Sequence, residues 1–241
     1  MLDAFAPIVV HDADESHPLA AAGSDRPALY GRATPAAAGG TWLQYWLYYP
    51  YQDQDRGIVR SGRHEGDWEL VQYRVDENRL VEAVYAQHSG QERCGADAVQ
   101  LRGGRPLVHA AHGSHASYFR AGTRDRMWPD PNDEADGRGT ALWPRAVRIS
   151  ESSPAWMRFR GRWGGARAGW FPAEQSSPRG PAFQGLRWDD PAAFARTART
   201  CTARRCVQVG ACDGGEAALT GAFGAALLAL AVVLARRTAG L

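Results

Sequence analysis

Lysine is absent from this chain. All 28 basic residues are arginine, which reads as a compositional bias and carries no functional weight. Excess charge is absent too: the formal net charge is only +2, which argues against a dedicated nucleic-acid binder. The four cysteines, Cys94, Cys201, Cys206 and Cys212, include no C-x-x-C pair, and that argues against a structural zinc site. They fit disulfides formed in an oxidising compartment, with the pairing left open. The N-terminus has neither a basic n-region nor a long apolar core, so no signal peptide is read there. There is no H-E-x-x-H helix and no G-x-S-x-G elbow, so neither a zincin nor an α/β-hydrolase signature is present.

What is there points to strands. Nine Trp, eight Tyr, 27 Gly and 14 Pro in 241 residues favour a β-rich, loop-rich body over a helical bundle. The fold expected is all-β, a β-sandwich with long loops over residues 1–195. A cysteine-containing linker (196–216) and a C-terminal hydrophobic helix (217–235) follow. Phe5-Ala6-Pro7-Ile8-Val9-Val10 reads as a first strand and residues 20–40 as a loop. Residues 42–51 are apolar on both alternating faces, as in a strand buried on two sides. Residues 52–66 read as a polar loop. Residues 67–75 and 80–88 read as a hairpin turning at Asn78, and residues 107–112 as another strand. Residues 122–144 form an acidic loop. Asn132, Glu134, Asp136 and Gly137 fit the first half of an EF-hand, but Trp143 stands where the twelfth-position Glu belongs, so the match fails. Residues 191–199 read as a short helix.

The chemistry concentrates around Arg63-His64-Glu65-Gly66-Asp67-Trp68-Glu69. With Asp53 and Asp55, this places one imidazole and five carboxylates within seventeen positions. Residues two apart on a strand share a face, so Asp67 and Glu69 project together and repel unless a cation or an arginine lies between them. His64, Asp67 and Glu69, with Asp53 or Asp55 arriving from the preceding strand end, are therefore the candidate ligands of a divalent cation. Oxygen-rich ligation favours Mg2+, Ca2+ or Mn2+ over Zn2+. The competing reading is a salt-bridge cluster with Arg56, Arg60 or Arg63. A second group, His88, His112 and His115, reads as a polar pocket and supplies the catalytic candidates, while His109 fits an ordinary hydrogen-bonding role.

Residues 217–235 carry no charge and precede Arg236-Arg237. As a helix they would rise roughly 28 Å, about the thickness of a bilayer core. They read as a membrane anchor, with the body extracytoplasmic by the positive-inside rule and the export signal unaccounted for; the alternative is a tail anchor with a cytoplasmic body.

Several ordered blocks resemble the Vps62 family, named for a vacuolar protein sorting factor. They are Tyr45-Trp46-Leu47-Tyr48-Tyr49-Pro50-Tyr51-Gln52-Asp53, His64-Glu65-Gly66-Asp67-Trp68-Glu69, Tyr85-Ala86-Gln87-His88-Ser89, and the run from Val108 to Tyr118. The resemblance spans about residues 4–195 and implies a domain of unestablished activity. A more distant likeness, confined to residues 62–69, is to the necrosis- and ethylene-inducing toxin-like proteins and their G-H-R-H-D-W-E heptapeptide. It implies a β-sandwich, a cation held at positions matching Asp53, His64, Asp67 and Glu69, Trp68 packed beneath, and a sphingolipid head group as ligand. Gly66 departs from it, standing where that motif has its second His. The expectation is a cation-dependent binding module for a polar head group or glycan at a membrane surface. The alternatives are a metal-dependent hydrolase using His88, His112 and His115, or a domain with a purely structural ion.

Overall fold

The computed structural model describes residues 1–19, 26–54, 62–126, 130–166 and 176–200. The predicted linker beyond Thr200, the hydrophobic helix, Asp55, and Cys201, Cys206 and Cys212 lie outside them. The helix α1 (Leu2–Phe5) leads into β1 (Ile8–Val10), β2 (Ala28–Pro35), β3 (Thr41–Gln52), β4 (His64–Asp76), β5 (Arg79–Gln87) and β6 (Gly90–Gly95). Then come β7 (Leu101–Arg102), β8 (Arg105–Ala110), β9 (Ser117–Tyr118), β10 (Gly122–Arg124), β11 (Asp133–Ala135), β12 (Ala141–Leu142) and β13 (Arg145–Arg148). Two short helices, α2 (Leu186–Asp189) and α3 (Pro191–Arg196), precede β14 (Arg199–Thr200). The protein is mainly β. Among the described residues no helix is long and apolar enough to cross a membrane.

A seven-stranded sheet runs β13-β2-β3-β4-β5-β6-β14, and a smaller one runs β12-β1-β8-β7 with β9 also paired to β8. The long β3/β4 ladder is its spine. Odd-numbered residues of both strands (Leu43, Tyr45, Leu47, Tyr49, Val71, Tyr73, Val75) share an apolar cluster with Val9 of β1 and Val108 and Ala110 of β8, which belong to the smaller sheet. Even-numbered Trp42, Trp46, Trp68 and Leu70 face a second cluster, with Met157, Trp188 and Phe194. β3 is thus buried on both faces, as its composition predicts. A fully buried Leu47 or Leu70 contributes roughly 1.5–3 kcal/mol.

Three expectations change. Residues 20–40 include a strand: β2 pairs with β3 from Tyr30↔Trp46 to Pro35↔Thr41. Its Gly, Ala and Pro content reads as loop, but pairing with a hydrophobic neighbour outweighs local propensity. β4 begins at His64, paired to Gln52, so the polar loop is shorter than residues 52–66. The acidic stretch contains the β10/β11 hairpin, with Arg124 opposite Asp133, as well as β12.

The short helices are fixed by polar groups on the sheet. Buried Gln72 donates to the Pro191 carbonyl at 2.8 Å, and Gln44 donates to the Arg187 carbonyl. Arg32 lies 4.1 Å over the Trp188 ring. Asp190 caps α3 by accepting from the Ala193 amide at 2.8 Å. These contacts hold Arg187 in place at the site described next. Cys94 is buried and disulfide-bonded.

Candidate functional site

Asp67 pairs with Tyr49 and Glu69 with Leu47, so both carboxylates continue the odd-numbered stripe that further along holds Val71 and Tyr73. They occupy the end of the space between the sheets, 5% and 6% exposed. Burial there, with Asp67 alongside, pushes the Glu69 carboxyl well above the usual carboxylate range; Asp133 adds to this and Arg187 opposes it. The Oε2 atom of Glu69 is buried without a hydrogen-bond partner. On the other face Trp68 packs into an aromatic group, 4.9 Å from Tyr48 and 5.2 Å from Trp163 between ring centroids.

His64 is also buried, its Nδ1 3.1 Å from the Gly66 carbonyl. A carbonyl only accepts, so Nδ1 carries a proton. Gly66 has φ +60°, and a β-carbon there would stand 2.3 Å from the Trp163 carbonyl oxygen. The position where the toxin motif has His is thus filled by the backbone of Trp163. Asp53 is drawn aside: its Oδ1 lies 2.9 Å from Arg63 Nε in a half-exposed ion pair.

His64, Asp67, Glu69 and His88 line one cavity of about 660 Å3, together with Arg126, Arg162 and Arg187. A second cavity of about 600 Å3 adjoins it, and His88, Ser89, Arg126 and Asp130 belong to both walls. Three of the four predicted ligands therefore meet at one cleft, and Asp53 is held by Arg63 instead. Among the described residues, no group of three or more His, Cys, Asp or Glu is gathered closely enough to hold a metal ion.

The three pocket histidines separate. His88 lies on the cleft wall, its Nε2 2.7 Å from Asp133 Oδ2. His115 is fully buried behind Asp67: its Nδ1 is 3.0 Å from Asp67 Oδ2, its Nε2 is 3.7 Å from Glu15 Oε1, and its ring stacks on Tyr49 at 3.8 Å. Burial works against its charge, but Asp67 and Glu15 outweigh burial and raise its pKa. Glu15 answers in kind, held down to about 2 against its own burial by His115 and the Gly113 amide. His112 is exposed and lines neither cavity. Sequence reasoning missed Asp133, Arg126, Arg187 and Glu15. Asp133 had a signal, as an acidic residue in the failed EF-hand stretch; the others arrive from elements whose placement no local pattern announces.

Residues 14–126 match the family described as Vacuolar protein sorting-associated protein 62, Vps62. That span holds the heptapeptide, His88 and the 109–118 run; Asp133 and Arg187 lie beyond it. No curated protein matches the chain. Two solved structures match. One, titled "Toxin fold for microbial attack and plant defense", is 16% identical, covers 60% of this chain and 70% of its own, and superposes with a TM-score of 0.37. The other is Necrosis and Ethylene inducing Protein 2 from the causal agent of cocoa's Witches Broom disease, 13% identical, covering 61% and 71%, with a TM-score of 0.38.

Proposed function

We propose that this Vps62-related domain, read as a two-sheet sandwich, is a binding module whose cleft takes a polar ligand bearing both hydroxyl and charged groups, such as a glycan or a lipid head group. The observation that carries this reading is the mixed lining of one open cavity: Asp67 and Glu69 at its floor and Arg126, Arg162 and Arg187 around it. Guanidinium forks grip anionic oxygens in two-point contacts, while carboxyls accept from hydroxyls or ammonium groups. Such a lining is wasted on an apolar ligand. The chain's C-terminal hydrophobic segment, as an anchor, would hold the cleft at a membrane surface with the body outside.

The test is thermal unfolding against a panel of neutral and anionic oligosaccharides and against vesicles with and without glycosylated lipids. A ligand of the native state raises the midpoint in a concentration-dependent way. Arg187→Gln is expected to weaken that shift at least tenfold in ligand concentration. A panel without any shift, or a shift indifferent to Arg187, rules the reading out.

A divalent cation at the same floor is favoured by one observation, the buried unpartnered Oε2 of Glu69. Its ligands would be His64, Asp67 and Glu69, which would have to draw closer together than they stand here, joined by Asp53 only if that residue leaves Arg63. Mg2+, Ca2+ and Mn2+ suit this oxygen-rich set better than Zn2+. Two measurements separate the cases. In chelator at pH 7, Glu69→Gln is expected to raise the unfolding midpoint, because it removes a buried acid crowded by Asp67. Adding back the cation is expected to raise the midpoint of the parent and not of Glu69→Gln. A cation shift that survives the substitution would place the ion elsewhere.

A further inference from the structure

His88 is the residue of the cleft with the most unusual backbone. It sits at the tip between β5 and β6 with φ +44°, a left-handed conformation that a non-glycine residue adopts only when its surroundings enforce it. Two contacts do so. Its carbonyl accepts from Arg187 Nη2, and its Nε2 lies 2.7 Å from Asp133 Oδ2.

Asp133 is built to stay ionised. It is fully buried, yet its Oδ2 also accepts from Tyr118 at 2.6 Å, and its Oδ1 accepts from Ser114 at 2.7 Å and Gln54 at 2.9 Å. A carboxylate so supplied with donors keeps its charge, and burial alone fails to neutralise it; its pKa is lowered, with His88, Tyr118 and Arg126 overcoming the burial. It therefore receives the His88 Nε2–H and fixes that tautomer. In the neutral ring the lone pair then falls on Nδ1, which has no hydrogen-bond partner among the described residues, on a side chain 23% exposed in the wall between two cavities. An imidazole oriented on one nitrogen by a buried Asp, with the other nitrogen open to a cleft, is the arrangement of a general base and its positioning residue.

Arg126 and Arg187 line the same cavity as His88. Arg126 is ion-paired with Asp130 and Arg187 donates to the His88 carbonyl, and their positive charge on the wall still favours a phosphodiester over a neutral ester or glycoside, because the diester carries a negative charge at the reacting centre that gains further charge in the transition state.

We propose that His88, positioned by Asp133, is a general base that activates water for phosphodiester hydrolysis in this cleft, an inference that rests on the cleft being a ligand site. In the step, Nδ1 takes a proton from water as its oxygen bonds to phosphorus. The phosphorus–oxygen ester bond breaks, the alkoxide leaves and takes a proton from solvent, and His88 returns its own proton to solvent. The net reaction is diester plus water giving monoester plus alcohol.

The experiment uses the full chain with bis(p-nitrophenyl) phosphate, in chelator. Release of p-nitrophenolate above the buffer rate is expected. His88→Asn is expected to lower kcat by about 10²–10⁴-fold with KM within a few-fold; Asn accepts the left-handed backbone, so the turn survives. Arg187→Gln is expected to act chiefly on KM. Midpoint shifts with the same diester are read in parallel. A shift without turnover overturns the general base and leaves the binding reading standing. No shift with the diester or with the glycan and vesicle panel overturns both. Turnover that survives His88→Asn, or equal turnover of p-nitrophenyl acetate, overturns the assignment.

Discussion

Between pH 6.5 and pH 4 the protein is expected to lose stability chiefly through two buried histidines outside the cleft. His11 is held down from 6.5 to about 4 by burial and by the nearby charge of His115, with Glu15 opposing. Its Nε2 accepts from the Leu19 amide at 3.4 Å, a bond that protonation of Nε2 abolishes. His109 is also held down to about 4, by burial and then by Arg120, Arg124 and Arg102. Its Nε2 contacts Gln100 Oε1 at 3.0 Å, and its Nδ1 is buried without a partner. Both groups are bases with a lowered folded pKa. Below pH 6.5 the unfolded chain takes up protons that the folded chain refuses, so the histidine contribution falls with pH until about 4 and then levels, while Glu15 and Asp133, held low in the fold, go on to lose stability at lower pH. Each histidine accounts for roughly 3 kcal/mol over that interval.

Two other groups run differently. His115 has a raised folded pKa, so its contribution is complete below 6.5 and is lost as pH rises through the folded value. Glu69, also raised, makes the fold cheaper as pH falls toward 4.5 and offsets part of the loss. Comparing variants removes these terms. Chemical unfolding of His109→Gln, whose amide keeps the bond to Gln100, is expected to show a pH dependence flatter by about 3 kcal/mol between pH 6.5 and 4. A slope equal to the parent's would mean that His109 is protonated in the folded state.

What the sequence showed of this site was its strand. The apolar run of residues 42–51 and the strand pattern of 67–75 announced β3 and β4 as strands, though not as partners, and the two-residue spacing of Asp67 and Glu69 put both carboxylates on one face, where they are found. It did not show which face. Only the register Tyr49↔Asp67 and the packing of β1 and β8 make that face an inner one, and so turn a surface pair into a buried pair that repels. The histidines divided for a similar reason. Within 112–115 the chain turns so that His112 points to solvent and His115 runs beneath Asp67, a difference of backbone conformation (His115 has φ +57°) rather than of composition. Asp53 stands in an ion pair with Arg63, one residue from β4. β2 was hidden because its own residues do not favour a strand; β3 beside it does.

The same lesson about backbone gives the second large effect, at Gly66. Gly66→Ala is expected to cost about 3–4 kcal/mol. Part is conformational: an alanine at φ +60° pays roughly 1–2 kcal/mol. The rest is steric, because the added carbon would meet the Trp163 carbonyl oxygen at 2.3 Å and the Trp163 Cβ at 3.0 Å, where nothing gives way without moving the chain. Gly104→Ala isolates the first part, since Gly104 has φ +78° and nothing within 4 Å of a β-carbon. Denaturant unfolding is expected to rank Gly66→Ala at least about 2 kcal/mol below Gly104→Ala. The displaced Trp163 should also alter the intrinsic fluorescence of the cluster it forms with Tyr48, Trp68 and Trp156. Equal costs at the two glycines would mean that Trp163 does not press on Gly66. The heptapeptide would then have room for the toxin motif's second His. If the costs differ as expected, Trp163 takes that place, beside a cleft lined by His64, Asp67, Glu69 and the arginines around them.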